Sequence, residues 1–206
     1  MALTVSAKGG GKDFAPHPTG VYAARCVRII DLGTQTTTWK GQQKNAHKII
    51  VGFETEALIE DGEKAGKPFL VQSRYTASLG EKGLLRRDLE SWRGRRFTDQ
   101  ELGAFDLKNV LNKACLLNIV HADSGGKTYA NVTSVMPLPP SMKAPPPSNQ
   151  SVLFSLSDFD AEVFDSLSDG LKETIAKSPE FKALSQRKPA AAPQQSIEEM
   201  EDDIPF

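Results

Sequence analysis

Residues 136–150 (MPLPPSMKAPPPSNQ) hold six of the chain's 13 prolines. Each proline fixes φ and removes a backbone donor, so neither a helix nor a sheet ladder is expected to run through them. The stretch divides the 206-residue chain into parts of unlike chemistry. Up to residue 150 there are 20 Lys and Arg against 14 Asp and Glu, and beyond it 5 against 12. The formal net charge of −1 is thus +6 on one side and −7 on the other. The overall balance argues against a uniformly basic nucleic-acid binder; the split restores that role for the first part alone.

The first part reads as mostly strand. Residues 20–31 (GVYAARCVRIID), 46–54 (AHKIIVGFE) and 69–76 (FLVQSRYT) combine β-branched and apolar side chains between Gly- and Pro-containing turn signals. The period then changes. Leu84, Leu85, Asp88, Leu89 and Trp92 recur at spacings of 3 to 4, which predicts a helix over residues 81–92. Thr98 and Glu101 have the spacing of a capping box and predict a second, short helix. Residues 113–122 and 127–137 read as strands joined by Asp-Ser-Gly-Gly into a hairpin. Three strands, a helix and two strands is the order of an OB-fold, a five-stranded Greek-key barrel with a helix between strands 3 and 4. The expected fold class is therefore mainly β, with a short helical segment and a disordered acidic C-terminal tail.

The expected organisation is a flexible N-terminal arm (1–12), the OB-fold domain (13–137), a Pro-rich linker (138–150), a helical segment (151–186) and the tail (187–206). In the helical segment Phe159, Val163, Phe164 and Leu167, then Leu171 and Ile175, fall at helical spacing. One or two helices are expected there, broken near residues 168–170 and ended before Pro179. The tail is rich in Pro, Ala and Gln and then acidic, with no basic residue after Lys188.

The chain ends in an acidic run set directly against Ile-Pro-Phe, and a solvated tail explains the charges but not a terminal aromatic beside proline. A ring and an α-carboxylate on an arm suit an apolar pocket rimmed by Lys or Arg. Asp202, Asp203, Ile204, Pro205 and Phe206 resemble the C-terminal tip of bacterial single-stranded DNA-binding proteins, which that family uses to recruit replication and repair partners. Upstream, residues 112–139 (NKACLLNIVHADSGGKTYANVTSVMPLP) resemble phage-encoded single-stranded DNA-binding proteins with an OB core, not the bacterial homotetramer. The resemblance implies a protein that coats single-stranded DNA during phage replication and recombination, acts in the host cytoplasm, and recruits replication or recombination enzymes through the five tip residues.

Binding a single strand needs cations along its backbone and flat rings for its bases. Trp39 with Lys40, Lys44 and Lys48 offers both, in a Gly-Gln-Gln loop expected between the first two strands. Arg74 with Tyr75 and Lys127 with Tyr129 repeat the pairing of cation and ring. Arg86, Arg87, Arg93, Arg95 and Arg96 form the densest basic cluster, and a solvated helix face competes with phosphate binding as its meaning. Phe53 and Trp92 fall in phase with apolar neighbours and read as core.

Signals for catalysis, metals, cofactors or a small-molecule substrate fail on inspection. The sequence from His121 to Thr128 ends like a phosphate-binding loop but lacks its first glycine and lies in a hairpin. His17, His47 and His121 share no metal-ligand spacing with the cysteines, and no catalytic residue is assigned. The longest apolar runs span only a few residues against the ~20 of a membrane helix. The start of the chain has no export signal, so a cytoplasmic location is expected. Cys26 and Cys115 sit in apolar strands and read as buried free thiols. An RNA-binding OB module, or an adaptor that binds partners without DNA, shares many of these features.

Overall fold

The structure is a computed structural model that describes residues 15–39 and 41–186. The strands are β1 (Gly20–Trp39), β2 (Gln42–Leu58), β3 (Pro68–Thr76), β4 (Ala114–Ser124), β5 (Lys127–Met136) and β6 (Val152–Phe154). They form one sheet in the order β3-β2-β1-β4-β5, antiparallel throughout, with β6 added parallel to β1. The helices are α1 (Leu84–Arg93), α2 (Asp99–Gly103), α3 (Ala161–Ser166), α4 (Asp169–Ala176) and α5 (Pro179–Gln186), with a 3₁₀ turn at Leu107–Val110. The fold is thus mainly β with a few short helices. β3 and β5, the two ends of the strand path, approach each other, and α1 packs against both.

Local chemistry explains these elements. In the β4–β5 hairpin Gly125 and Gly126 both adopt positive φ, 60° and 75°, as a tight two-residue turn requires. α1 buries Leu85, Leu89 and Trp92 on one side, and Trp92 Nε1 donates to the Ala114 carbonyl at 2.7 Å. The helix stops at Gly94, whose left-handed φ of 66° lets its N–H turn back to the last carbonyls. Thr98 and Glu101 form the expected capping box at α2.

β1 and β2 are longer than their apolar patterns predict, 20 and 17 residues. Pairing runs on through Thr36 with Asn45, Thr38 with Gln43 and Trp39 with Gln42, so the expected Gly-Gln-Gln loop is the end of a two-stranded ribbon. Threonines favour extended backbone, yet Thr36, Thr37, Thr38, Gln43, Lys44 and Asn45 are all exposed, so this stretch carries no alternation of apolar and polar residues.

β1 serves two cores. Ala24, Cys26 and Ile29 face one core with Val51, Phe53, Leu117 and Trp92. Ile30 and Leu32 face the other with Ile50, Phe154, Leu156, Leu171 and Ile175. Bulges at Val27 and Leu32, where one extra β1 residue is set against β2, accompany this change of face. The two cysteines are free and buried as expected, and burial pushes the Cys26 thiol up to about 12.

The second core makes the C-terminal segment part of the sheet. β6 pairs with Arg28, Ile29 and Ile30, beyond the point where β4 stops pairing with β1 at Arg25. The proline-rich residues carry no helix or strand between 137 and 151, but they are anchored. Arg25 Nε donates to the Pro145 carbonyl at 3.2 Å. Glu54, 1% exposed, accepts from the backbone N–H groups of Ser148 and Asn149 at 2.8 and 3.0 Å. Hydrogen bonds to a charged group contribute roughly 1.5–3 kcal/mol each. Beyond β6 there are three helices where one or two were expected. α4 ends at Ala176, before Pro179 as expected, and Pro179 then starts α5, at the position where its missing N–H costs nothing.

His17 ties residues 15–19 to the sheet. Its Nδ1 donates to the Pro18 carbonyl at 2.7 Å, which leaves Nε2 to accept from the Thr55 hydroxyl at 2.8 Å. Burial, and to a lesser degree the neighbouring His121, holds this imidazole below its ordinary value of 6.5. A proton accepted by the unfolded chain and refused by the folded one disfavours folding, so this contribution is complete well above pH 6.5 and fades as pH falls through that value. The stability of wild type relative to His17→Gln should drop between pH 7.5 and 5.5 in urea titrations, and a difference constant across that range would refute this assignment.

Candidate nucleic-acid interface

Between Asp31 and Glu54 the chain has no acidic residue, but it has Lys40, Lys44 and Lys48. This acid-free stretch makes up the ribbon and the first half of β2. Side chains alternate along a strand, so Lys44, Lys48, Ile50, Gly52 and Glu54 fall on one face of β2. Their cross-strand partners share that face. On β3 these are Thr76 beside Lys48, Arg74 beside Ile50 and Gln72 beside Gly52. On β1 they are Thr37 beside Lys44, Ile30 beside Ile50 and Arg28 beside Gly52.

The C-terminal segment covers this face over Ile30 and Ile50 and leaves the β3 side open. Arg74, Gln72, Thr76 and Lys44 are exposed, and the Lys48 ammonium donates to the Thr76 hydroxyl at 2.8 Å. Gly52 is what lets Arg28 lie across β2: a Cβ there would stand 3.0 Å from the Arg28 Cβ. Arg28 therefore joins Lys44, Lys48 and Arg74 as a fourth cation of the face. It was not among the residues singled out from sequence, although a glycine inside an apolar strand signals such a close approach.

The segment's hold at the root of the ribbon is specific. Glu180 accepts from the Thr34 N–H at 2.9 Å and the Thr34 hydroxyl at 2.5 Å. His47 Nε2 bonds Asp31 at 2.6 Å, and Gln35 Nε2 donates to the Thr174 carbonyl at 3.0 Å. Gly33 packs so closely on Ser178 and Leu156 that a Cβ would lie 2.6 Å from the Ser178 Cβ. The ribbon thus projects from a braced base.

The other candidates divide. Tyr75 is a correction: it is 6% exposed and its hydroxyl donates to the buried Asp88 at 2.9 Å, so its ring belongs to the core and not to a stacking surface. Burial and the Asp88 charge both raise its hydroxyl's pKa. Four of the five clustered arginines are ion-paired. Arg86 bonds Glu90 at 3.0 Å and Arg87 bonds Asp88 at 2.8 Å. Arg93 and Arg95 both bond Glu101, Arg95 through two contacts of 2.7 and 2.9 Å. Hydrogen bonds from Arg95, Thr98 and Arg93 hold Glu101 down at about 2. Sequence counting missed Glu101 as a partner because it lies eight and six residues beyond Arg93 and Arg95. Arg96 is exposed.

Lys127 and Tyr129 are exposed on β5, Tyr129 by 49%. They sit beyond the Gly20 end of β1, whereas the ribbon extends from its other end, so the two tips are not brought together along that strand. Trp39 closes β1 opposite Gln42. Lys40 and the tip residues Asp202, Asp203, Ile204, Pro205 and Phe206 lie outside the described residues.

Among the described residues no group of three or more His, Cys, Asp or Glu side chains could hold a metal ion. No described helix is long and apolar enough to cross a membrane. In comparisons with known proteins, neither a protein-family model nor a curated protein matches this chain.

Proposed function

We propose that this protein is a sequence-tolerant, non-enzymatic single-stranded DNA-binding protein that coats DNA during phage replication or recombination in the host cytoplasm. In this reading it is built on an OB-fold and recruits partner enzymes through its acidic C-terminal tip. The observation that carries the reading is the open cationic face formed by Lys44, Lys48, Arg74 and Arg28 beside a projecting ribbon. Cations spaced along an extended surface suit a phosphate backbone, and the exposed hydroxyls and amides of the ribbon add sequence-tolerant hydrogen bonds. The strand order supports the OB-fold: β1 pairs with both β2 and β4, β3 approaches β5, and α1 falls between β3 and β4 in the chain. The resemblance of Asp202 to Phe206 to the bacterial tip supports the recruiting role.

Tryptophan fluorescence titrated with dT oligomers at two salt concentrations tests the reading. Quenching that weakens steeply with salt and is lost in Trp39→Ala is the expected result. Absence of binding at low salt would refute it, and equal competition by an RNA of the same length would move the assignment to an RNA-binding module.

A further inference from the structure

Beside α1 lies an open hollow of about 490 Å³, a size suited to a small ligand, that the coating role does not use. Trp92 and Phe105 form its apolar side, and the exposed Asn109 lines it as well. Three cations line it, Arg93, Arg95 and Lys113, against one carboxylate, Glu101. Glu101 is shared by both guanidinium groups, and Lys113 is exposed with no ion pair among the described residues. The surplus is therefore two positive charges beside two aromatic rings. Hydrogen bonds to Glu101 hold its carboxyl down at about 2, so the surplus is constant through the neutral and mildly acidic range. Arg93 lies 4.4 Å from the Phe97 ring centre and 5.2 Å from that of Phe105, and its Nη1, buried, has no hydrogen-bond partner among the described residues. A buried donor without a partner is unfavourable, and an oxygen supplied by a ligand would satisfy it.

The charge selects among phosphates. A phosphate monoester carries about −1.5 to −2 at pH 7, which matches the surplus, whereas the phosphodiester inside a strand carries a single negative charge. Trp92 and Phe105 suit a flat ring attached to that phosphate, and the Asn109 amide offers both a donor and an acceptor to the ring's polar edge. A nucleobase has such an edge and a plain aromatic ring does not. We propose that this hollow binds a nucleoside 5′-monophosphate, with the phosphate monoester toward Lys113, Arg95 and the spare donor of Arg93 and the base against Phe105 and Trp92. A free mononucleotide and the 5′-phosphorylated end of a single strand both carry that chemistry. α1 packs on the face of the sheet that holds Val51, Phe53 and Tyr75, whereas Lys48 and Arg74 lie on the opposite face. The hollow is thus separate from the coating surface, and the inference does not rest on that role.

Calorimetric titration of the full-length protein with thymidine 5′-monophosphate tests the site. Saturable binding is expected, at least tenfold tighter than that of thymidine, at least threefold tighter than that of phenyl phosphate, and weakened at least tenfold by Lys113→Glu. The same variant should keep its affinity for a 5′-hydroxyl dT oligomer within twofold. A second pair of ligands identifies the source of the nucleotide. If a 5′-phosphorylated dT oligomer binds several-fold more tightly than its 5′-hydroxyl twin, and Lys113→Glu removes the difference, the ligand is a strand end; binding of the monophosphate without that difference identifies the free nucleotide. Any of four results overturns the proposal: no saturation by the monophosphate up to about 5 mM, equal binding of thymidine or phenyl phosphate, indifference to Lys113→Glu in a variant that keeps the wild-type melting temperature, or loss of 5′-hydroxyl dT binding in that variant. If the 5′-hydroxyl oligomer fails to bind wild type while the monophosphate binds, the coating role falls and the hollow stands.

Discussion

Replacing Phe154 by alanine is expected to lower the unfolding free energy by about 3 to 5 kcal/mol, the range for removing a buried aromatic ring from a core. Phe154 is 2% exposed and lies at the centre of the second core, with ring centres of Phe159 and Phe164 each 5.8 Å away. It is also the last residue of β6 and pairs with Ile30. The cavity would therefore open where the C-terminal segment meets the sheet, and the surrounding groups have little freedom to collapse into it. Glu180 is bonded to Thr34, and Gly33 is pressed on Ser178. Because β1 belongs to both cores, unfolding should remain one transition. Urea curves followed by tryptophan fluorescence and by far-ultraviolet circular dichroism should coincide in wild type and variant. A loss below about 1 kcal/mol, or an earlier separate transition of residues 151–186, would show that the segment is tethered and not packed as described.

Reversing three charges on the open face, Lys44→Glu, Lys48→Glu and Arg74→Glu together, is expected to weaken dT binding by about 100-fold or more at 0.1 M salt. Each phosphate neutralised on a single strand contributes about −0.7 to the slope of log affinity against log salt, so the variant's slope should be shallower by about 2. At 0.1 M salt that slope corresponds to roughly fivefold per contact, and reversal adds repulsion to the loss. Lys44 and Arg74 are exposed and Lys48 is half-buried with one hydroxyl partner, so the melting temperature should move little. The matching change on the ion-paired cluster, Arg86→Gln with Arg87→Gln, should leave the slope nearly intact, because those guanidinium groups already face Glu90 and Asp88. An unchanged slope in the triple variant would remove the β2–β3 face from the binding path.

What the sequence made legible was local. The β4–β5 hairpin shows in its Gly-Gly turn, α1 in the phase of Leu85, Leu89 and Trp92, and α2 in its capping box. The ribbon was hidden because strands exposed on both sides need no apolar alternation, and Thr36 to Asn45 has none. Tyr75 could not be assigned from its own strand, because what fixes it is Asp88, thirteen residues further along. The attachment of the C-terminal segment was equally illegible. Proline content excludes regular structure, but it says nothing about Glu54, some 95 residues away, receiving the backbone of Asn149. Of the cationic face, Lys44, Lys48 and Arg74 were found by residue type, whereas Arg28 required knowing that Gly52 lies beside it.

The two bulges in β1 have a consequence for how the chain finds its alignment. A strand with one apolar face rejects a one-residue slip because the slip would expose its core. β1 carries isoleucine at both 29 and 30, one for each core, so hydrophobicity alone barely distinguishes the true alignment from its neighbour. The extra residues Val27 and Leu32 act as two teeth of a key, seated where β2 offers no partner, and Gly33 fits beneath Ser178 only in that setting. Deleting either Val27 or Leu32 would therefore cost the molecule its sense of alignment as well as one buried side chain.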